Sequence, residues 1–371
     1  MKAIDHAVPG VKALTPYLPG KPISELQREL GLTKVVKLAS NENPLGPSPR
    51  AVEAARRALS EIHLYPDGGG YELKAKLAEK LGVEPAMITL GNGSNDVLEL
   101  IARAFLNDKA SCVFSEHAFA VYPIVSQAVG ANARIAKAHD GSRGPRYGHD
   151  LTALLAMVDS NTRVIFIANP NNPTGTALQR EELLAFLAAV PDETITVIDE
   201  AYIEYAGGSD FPNALEWLAR FPQLVVTRTF SKAYGLAGLR VGYAVSQPEV
   251  ADLLNRVRQP FNVNLPAMAA AIAALDDSSH LEATIALNRK GLECLGLALE
   301  QRGYVVIPSA GNFITFDLGR PAAPVYEGLL RQGVIVRPIA NYGLPNHLRV
   351  TIGTQEENQA FLEALDRVVG R

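Results

Sequence analysis

Between about residue 85 and residue 246, short apolar runs alternate with amphipathic segments, and the alternation predicts strands joined by crossover helices around a mostly parallel sheet. The expected strands cover 87–90, 112–114, 164–168, 195–199, 224–227 and 241–245. Several are apolar at every position, as strands are when helices cover both faces of their sheet. Beyond Pro266 the pattern changes to alanine- and leucine-rich helical stretches, followed by short strands near 303–307, 312–316, 334–337 and 348–352. A smaller α+β domain is expected there. The first 45 residues are rich in proline and glycine and carry little periodicity, so an extended arm that needs a surface to lie on is predicted. The expected division is an arm over 1–45, resting on the small domain and on a partner subunit, a large domain over 46–262 and a small domain over 263–371. The fold class is α/β.

Composition narrows the class of partner. With 371 residues, 47% hydrophobic and 20% charged, the chain has enough core for a globular protein of about two to three domains. A net charge of −4 with dispersed basic residues leaves no footprint for nucleic acid or an anionic membrane, so a small-molecule ligand is expected. Cys112 and Cys294 are far apart and each sits among apolar neighbours, which predicts two reduced, buried thiols. The opening Met1-Lys2-Ala3-Ile4-Asp5-His6 lacks the apolar core of a signal peptide, and no window has the apolar length to span a bilayer. A cytoplasmic location is expected. The histidines at 6, 63, 117, 139, 149, 280 and 347 show no paired helical spacing, so no metal site is predicted.

In open α/β sheets ligands bind beyond the carboxyl ends of the strands, so the residues that follow each apolar run belong together. Lys232 lies just after the apolar run 224–227, in Thr229-Phe230-Ser231-Lys232-Ala233-Tyr234-Gly235. A lysine there loses hydration, which disfavours its charged form and suits it to act as nucleophile or base. A surface lysine would leave the neighbouring Ser231 and Arg240, two natural anion ligands, without a purpose. Gly91-Asn92-Gly93-Ser94-Asn95-Asp96 precedes a helix expected over 97–106. Glycines let backbone approach an anion and the helix start offers free N–H groups; a plain turn capped by Ser94 or Asn95 reads equally well on this segment alone. Asn169-Pro170-Asn171-Asn172-Pro173-Thr174-Gly175 is a rigid loop whose amides can donate to a ligand oxygen. Asp199 ends an apolar run, and a buried carboxylate demands a cationic partner.

Asn172-Pro173-Thr174-Gly175, Asp199-x-x-Tyr202, Ser231-Lys232 and Arg240 together resemble the signature of the fold-type I pyridoxal-phosphate aminotransferases, in order over nearly the whole chain. The resemblance implies pyridoxal 5'-phosphate as cofactor, held covalently by Lys232, with Asp199 at the pyridinium nitrogen and Tyr202 and Asn172 at the phenolic oxygen. It also implies Ser231, Arg240 and the Gly93-Ser94-Asn95 backbone at the phosphate, and Phe119 stacked on the ring. The ring takes up electron density from the substrate carbon, and Lys232, once displaced, moves the proton.

The arm sharpens the resemblance. Leu14-Thr15-Pro16-Tyr17-Leu18-Pro19-Gly20-Lys21-Pro22 and Ser40-Asn41-Glu42-Asn43-Pro44 resemble the histidinol-phosphate aminotransferases. That family implies Tyr17 at the substrate phosphate, Tyr65 reaching the cofactor phosphate of a partner subunit in a homodimer, and Arg337 and Arg349 at the substrate's acid groups. Arginine's planar fork serves carboxylate and phosphate alike. The implied reaction moves an amino group between L-histidinol phosphate, whose ketone is imidazole-acetol phosphate, and glutamate with 2-oxoglutarate in histidine biosynthesis. The alternatives are an aromatic amino acid aminotransferase, a phospho-amino-acid decarboxylase of the same fold, and a cofactor-sensing regulator, for which the arm is too short and proline-rich to supply a DNA-binding domain.

Overall fold

In the computed structural model of the chain, residues 2–17, 19–207 and 211–370 are described; Leu18 of the arm motif, the terminal Met1 and Arg371, and residues 208–210 of the expected large domain lie outside them. The arm contributes one short strand, β1 (Val36–Lys37). The apolar runs then become β2 (Ile88–Gly91), β3 (Ser111–Ser115), β4 (Asn132–Ala136), β5 (Thr162–Ala168), β6 (Ile195–Asp199), β7 (Leu224–Thr229) and β8 (Gly242–Ser246). They form a sheet in the order β2-β8-β7-β6-β5-β3-β4. β8 runs antiparallel to both its neighbours and the other pairs are parallel. β4 is absent from the predicted strands because it lies at the sheet edge, where Asn132-Ala133-Arg134-Ile135 keep much of their surface in water and no apolar run is needed.

Alternate residues of the interior strands feed two cores, which explains their unbroken apolar character. Val113, Ile165, Ile167, Ile198 and Val226 pack on one face, Cys112, Phe114, Val164, Phe166, Val197 and Val225 on the other. Helix Leu265–Leu275, which sequence placed on the small-domain side of residue 263, buries Ala267, Met268, Ala270, Ala271, Ala274 and Leu275 in the first of these cores. Its alanines let it lie close against helix Pro49–Ala58.

The later strands are β9 (Val305–Ile307), β10 (Phe313–Asp317), β11 (Val334–Ile335), β12 (Arg337–Ile339) and β13 (Leu344–Thr351). Four of them make an antiparallel sheet in the order β12-β13-β10-β9 over a separate core that includes Phe316, Leu348 and Phe361. β1 pairs in parallel with β11 and ties the arm to this region.

Two expectations need correction. The arm is not extended throughout: Ile23–Leu30 is a helix that buries Leu26 against Ala39 and Ile335. Leu26 is its buried side chain while Ile23 and Leu30 stay exposed, so over only eight residues the helix leaves little pattern among the prolines and glycines. Cys294 is exposed, because the buried row of helix Ser278–Gln301 runs through Leu295 and Leu299 and turns the thiol outward. Among the described residues, no helix is long and apolar enough to cross a membrane.

Candidate functional site

The carboxyl ends of β5, β6 and β7 meet the arm and β13 around a cavity of about 550 Å³. Asp199, Tyr202 and Lys232 line one wall of it. The Asp199 carboxylate is buried at the end of β6, where Oδ1 accepts from the Thr227 hydroxyl at 3.0 Å and Oδ2 from the Tyr122 hydroxyl at 2.9 Å. Burial pushes its pKa up and those two donors pull it back. Lys232 follows β7, and its ammonium donates to the Ser40 carbonyl at 3.1 Å. Its pKa is lowered to about 8, first by burial and next by the Arg349 guanidinium. The Tyr202 hydroxyl accepts from the Asn41 amide at 2.8 Å, and burial pushes this phenol well above its ordinary value.

A second wall is shaped for an anion. Helix Ser94–Phe105 begins at Ser94, not at 97 as expected, and its N-cap is Gly93 with φ +84°, so no side chain caps the first-turn N–H groups. The two readings of this segment separate here. A Cβ on Gly93 would lie 2.4 Å from Arg240 Nη2, and one on Gly242 would lie 2.4 Å from the Ser94 nitrogen. Only glycine at these positions lets the guanidinium and the helix start come together. Arg240 Nη1 reaches the Ser231 hydroxyl at 3.4 Å and the Ala237 carbonyl at 3.0 Å. Ser94, Asn95, Ser231 and Arg240 all face the cavity, as does Phe119.

The third wall comes from the small sheet and the arm. Arg337 on β12 and Arg349 on β13 are direct cross-strand partners, and both are buried. Arg349 Nη1 donates to Asn172 Oδ1 and Nη2 to the Ala39 carbonyl at 2.7 Å, while its buried Nε has no hydrogen-bond partner among the described residues. Burial pushes its pKa down. The Arg337 guanidinium lies 5.6 Å from the centre of the Tyr17 ring, which lines the cavity. Like charges directly opposite on a ladder destabilise it, and a shared anion would relieve that.

Tyr65 is not brought into this constellation. It is 82% exposed and stacks on Phe261 at 4.7 Å, outside the cavity lining. Sequence reasoning assigned no role to Ser40, Asn41, Thr227 or Tyr122. The run Ser40-Asn41-Glu42-Asn43-Pro44 did point to the first two, whereas nothing local marks Tyr122 as a neighbour of Asp199. Among the described residues, no group of three or more His, Cys, Asp or Glu could hold a metal ion.

The protein family described as aminotransferase class I and II matches residues 33–365. The chain is 66% identical over 363 residues to histidinol-phosphate aminotransferase 2 of Methylococcus capsulatus, with 98% of each chain covered. It is 59% identical over 365 residues to histidinol-phosphate aminotransferase 2 of Pseudomonas aeruginosa, covering 98% of this chain and 97% of that one. The crystal structure of histidinol-phosphate aminotransferase from Sinorhizobium meliloti in complex with pyridoxal-5'-phosphate superposes with a TM-score of 0.89 at 30% identity, covering 98% of this chain and 97% of that one.

Proposed function

The chain belongs to the class I and II aminotransferase family, and from that membership we propose the amine donor and the roles of the cavity residues. It is a pyridoxal-phosphate-dependent transaminase of histidine biosynthesis that moves an amino group between L-histidinol phosphate and 2-oxoglutarate. The cavity fits the cofactor: the Gly93 and Gly242 cradle admits a phosphate, a buried carboxylate waits for a cation, and a lysine of lowered pKa stands between them.

When bound, pyridoxal phosphate supplies a ring that accepts electron density from the carbon bearing the substrate amine. The Lys232 amine is the nucleophile that holds the cofactor and, once released by substrate, the base that carries the proton at that carbon. Asp199 keeps the proton on the ring nitrogen. Tyr202 and Asn172 donate to the phenolic oxygen; Arg349 already engages the Asn172 amide oxygen, which commits the amide nitrogen to the donor role. Ser231, Arg240 and the Gly93-Ser94-Asn95 backbone would hold the cofactor phosphate, and Phe119 would offer its ring an aromatic surface. Arg349 takes the acid group of either substrate, and Arg337 with Tyr17 takes the phosphate ester.

Tyr65, exposed in one chain, serves the site of a second copy, so the working unit is a homodimer. The organisation is an arm, a large domain that includes helix Leu265–Leu275, and a small domain; the location is the cytoplasm. The observation that carries the choice of donor is the buried pair Arg337 and Arg349, cross-strand partners of which Arg349 lines the same cavity as the lysine. Comparing kcat/KM for histidinol phosphate and phenylalanine tests it. Histidinol phosphate is expected to lead by about a hundredfold or more, since its phosphate ester carries more charge and more acceptor oxygens for two arginines than the single carboxylate of phenylalanine. A preference for phenylalanine would overturn the assignment, and carbon dioxide release independent of 2-oxoglutarate would identify a decarboxylase.

A further inference from the structure

Tyr122 lies on helix Val121–Ala128, behind the cavity floor, and is fully buried. A buried phenol needs a hydrogen-bond partner, and this one has Asp199 Oδ2 at 2.9 Å. The core sets the position of the ring. It stacks on Phe166 of β5 with centroids 4.9 Å apart and planes 9° from parallel, and it meets the Phe119 ring edge-on at 5.8 Å and 88°. The hydroxyl is therefore delivered to the carboxylate by packing instead of being recruited by it.

The direction of this hydrogen bond matters. Burial, with Asp199 next, drives the Tyr122 phenol well above its ordinary pKa, so it stays neutral and donates. Asp199 receives a second hydroxyl from Thr227 and a backbone N–H from Ala201, and together these oppose the burial that disfavours its charge. Each donated hydrogen bond makes the carboxylate a weaker base than burial alone would leave it. When one proton is shared between it and a ring nitrogen, that loss of basicity at the oxygen favours the proton on nitrogen, where the chemistry requires it.

We infer that Tyr122 is a positioning residue of the transamination site: its core-anchored hydroxyl holds the Asp199 carboxylate ionised and aimed at the cofactor's ring nitrogen. The inference rests on the proposed placement of Asp199 at that nitrogen. The same tyrosine buttresses Phe119, the ring proposed to lie on the cofactor face, so one buried side chain supports both an edge and a face of the cofactor site.

The test uses holoenzyme loaded with pyridoxal phosphate carrying ¹⁵N at the ring nitrogen. Wild type is expected to show the resonance of a protonated pyridine. In Tyr122→Phe, which keeps both ring contacts and deletes only the donor, the resonance moves toward the neutral-pyridine position at the same pH, and the dissociation constant for pyridoxal phosphate rises about tenfold. Tyr122→Leu, which deletes ring and hydroxyl together, should move the resonance in the same direction and lower Tm as well. If Tyr122→Phe leaves the resonance and the affinity at their wild-type values, or if only Tyr122→Leu moves them, packing is the whole role of Tyr122 and the inference falls. A neutral nitrogen in wild type would instead overturn the placement of Asp199.

Discussion

On the large-sheet side of the cavity, Asp199, Lys232 and Arg240 each bond to protein groups that are already in place. On the small-sheet side, two arginines are cross-strand partners on β12 and β13, and Arg349 keeps a buried Nε without a hydrogen-bond partner among the described residues. The first half is preorganised: its charged groups are already hydrogen-bonded and held in place before any ligand arrives, as suits a resident group bound once. The second half places two buried arginines on one ladder, where an arriving carboxylate or phosphate finds donors. Binding energy for a substrate that comes and goes is thus concentrated where two buried arginines share one ladder.

The largest break in this contrast comes from Lys232→Ala. Turnover should fall by about a thousandfold or more while the fold and some non-covalent cofactor binding persist; steady-state kinetics with a cofactor titration checks this, and near-normal kcat removes Lys232 from its role. Arg349→Ala attacks the other half. There, kcat/KM for histidinol phosphate should drop by about a hundredfold, with cofactor affinity changing little. If the two quantities fall together, the halves are not separable and the contrast fails.

A smaller effect sharpens the first half through pH. Burial lowers the pKa of Lys232 to about 8 in the folded chain, from an ordinary 10.5. The rate of cofactor capture by apoprotein should therefore rise roughly tenfold from pH 6 to 7, bend near pH 8 and flatten above it. Stopped-flow absorbance reads this directly, and a rate that still climbs tenfold per unit above pH 9 would show an unperturbed lysine. The linkage has a matching sign. Between about 8 and 10.5 the unfolded chain holds a proton that the folded lysine lacks, so the penalty for burying this amine is full below pH 8 and fades as pH rises toward 10.5.

The large sheet was legible because its signal is local. Strands buried on both faces must be apolar at consecutive positions, and six of the seven announced themselves in that way. The exposed edge strand β4 and the short arm helix Ile23–Leu30 escaped because neither buries enough surface to impose a pattern. Most cofactor-side candidates were legible for a related reason: each follows directly on a strand, and the topology of a parallel sheet gathers strand ends at one edge.

Residue type and spacing were enough to indicate an α/β sheet, a lysine whose neighbours suit an anion, and the family signature around it. Only the tertiary structure decided that Arg337 and Arg349 sit opposite one another, that Asn41 reaches Tyr202 from 161 positions away, and that a core tyrosine donates to Asp199 across 77. Local sequence governs backbone conformation and which faces seek burial, whereas hydrogen bonds between distant side chains depend on how whole elements pack, and packing is a property of the assembled core.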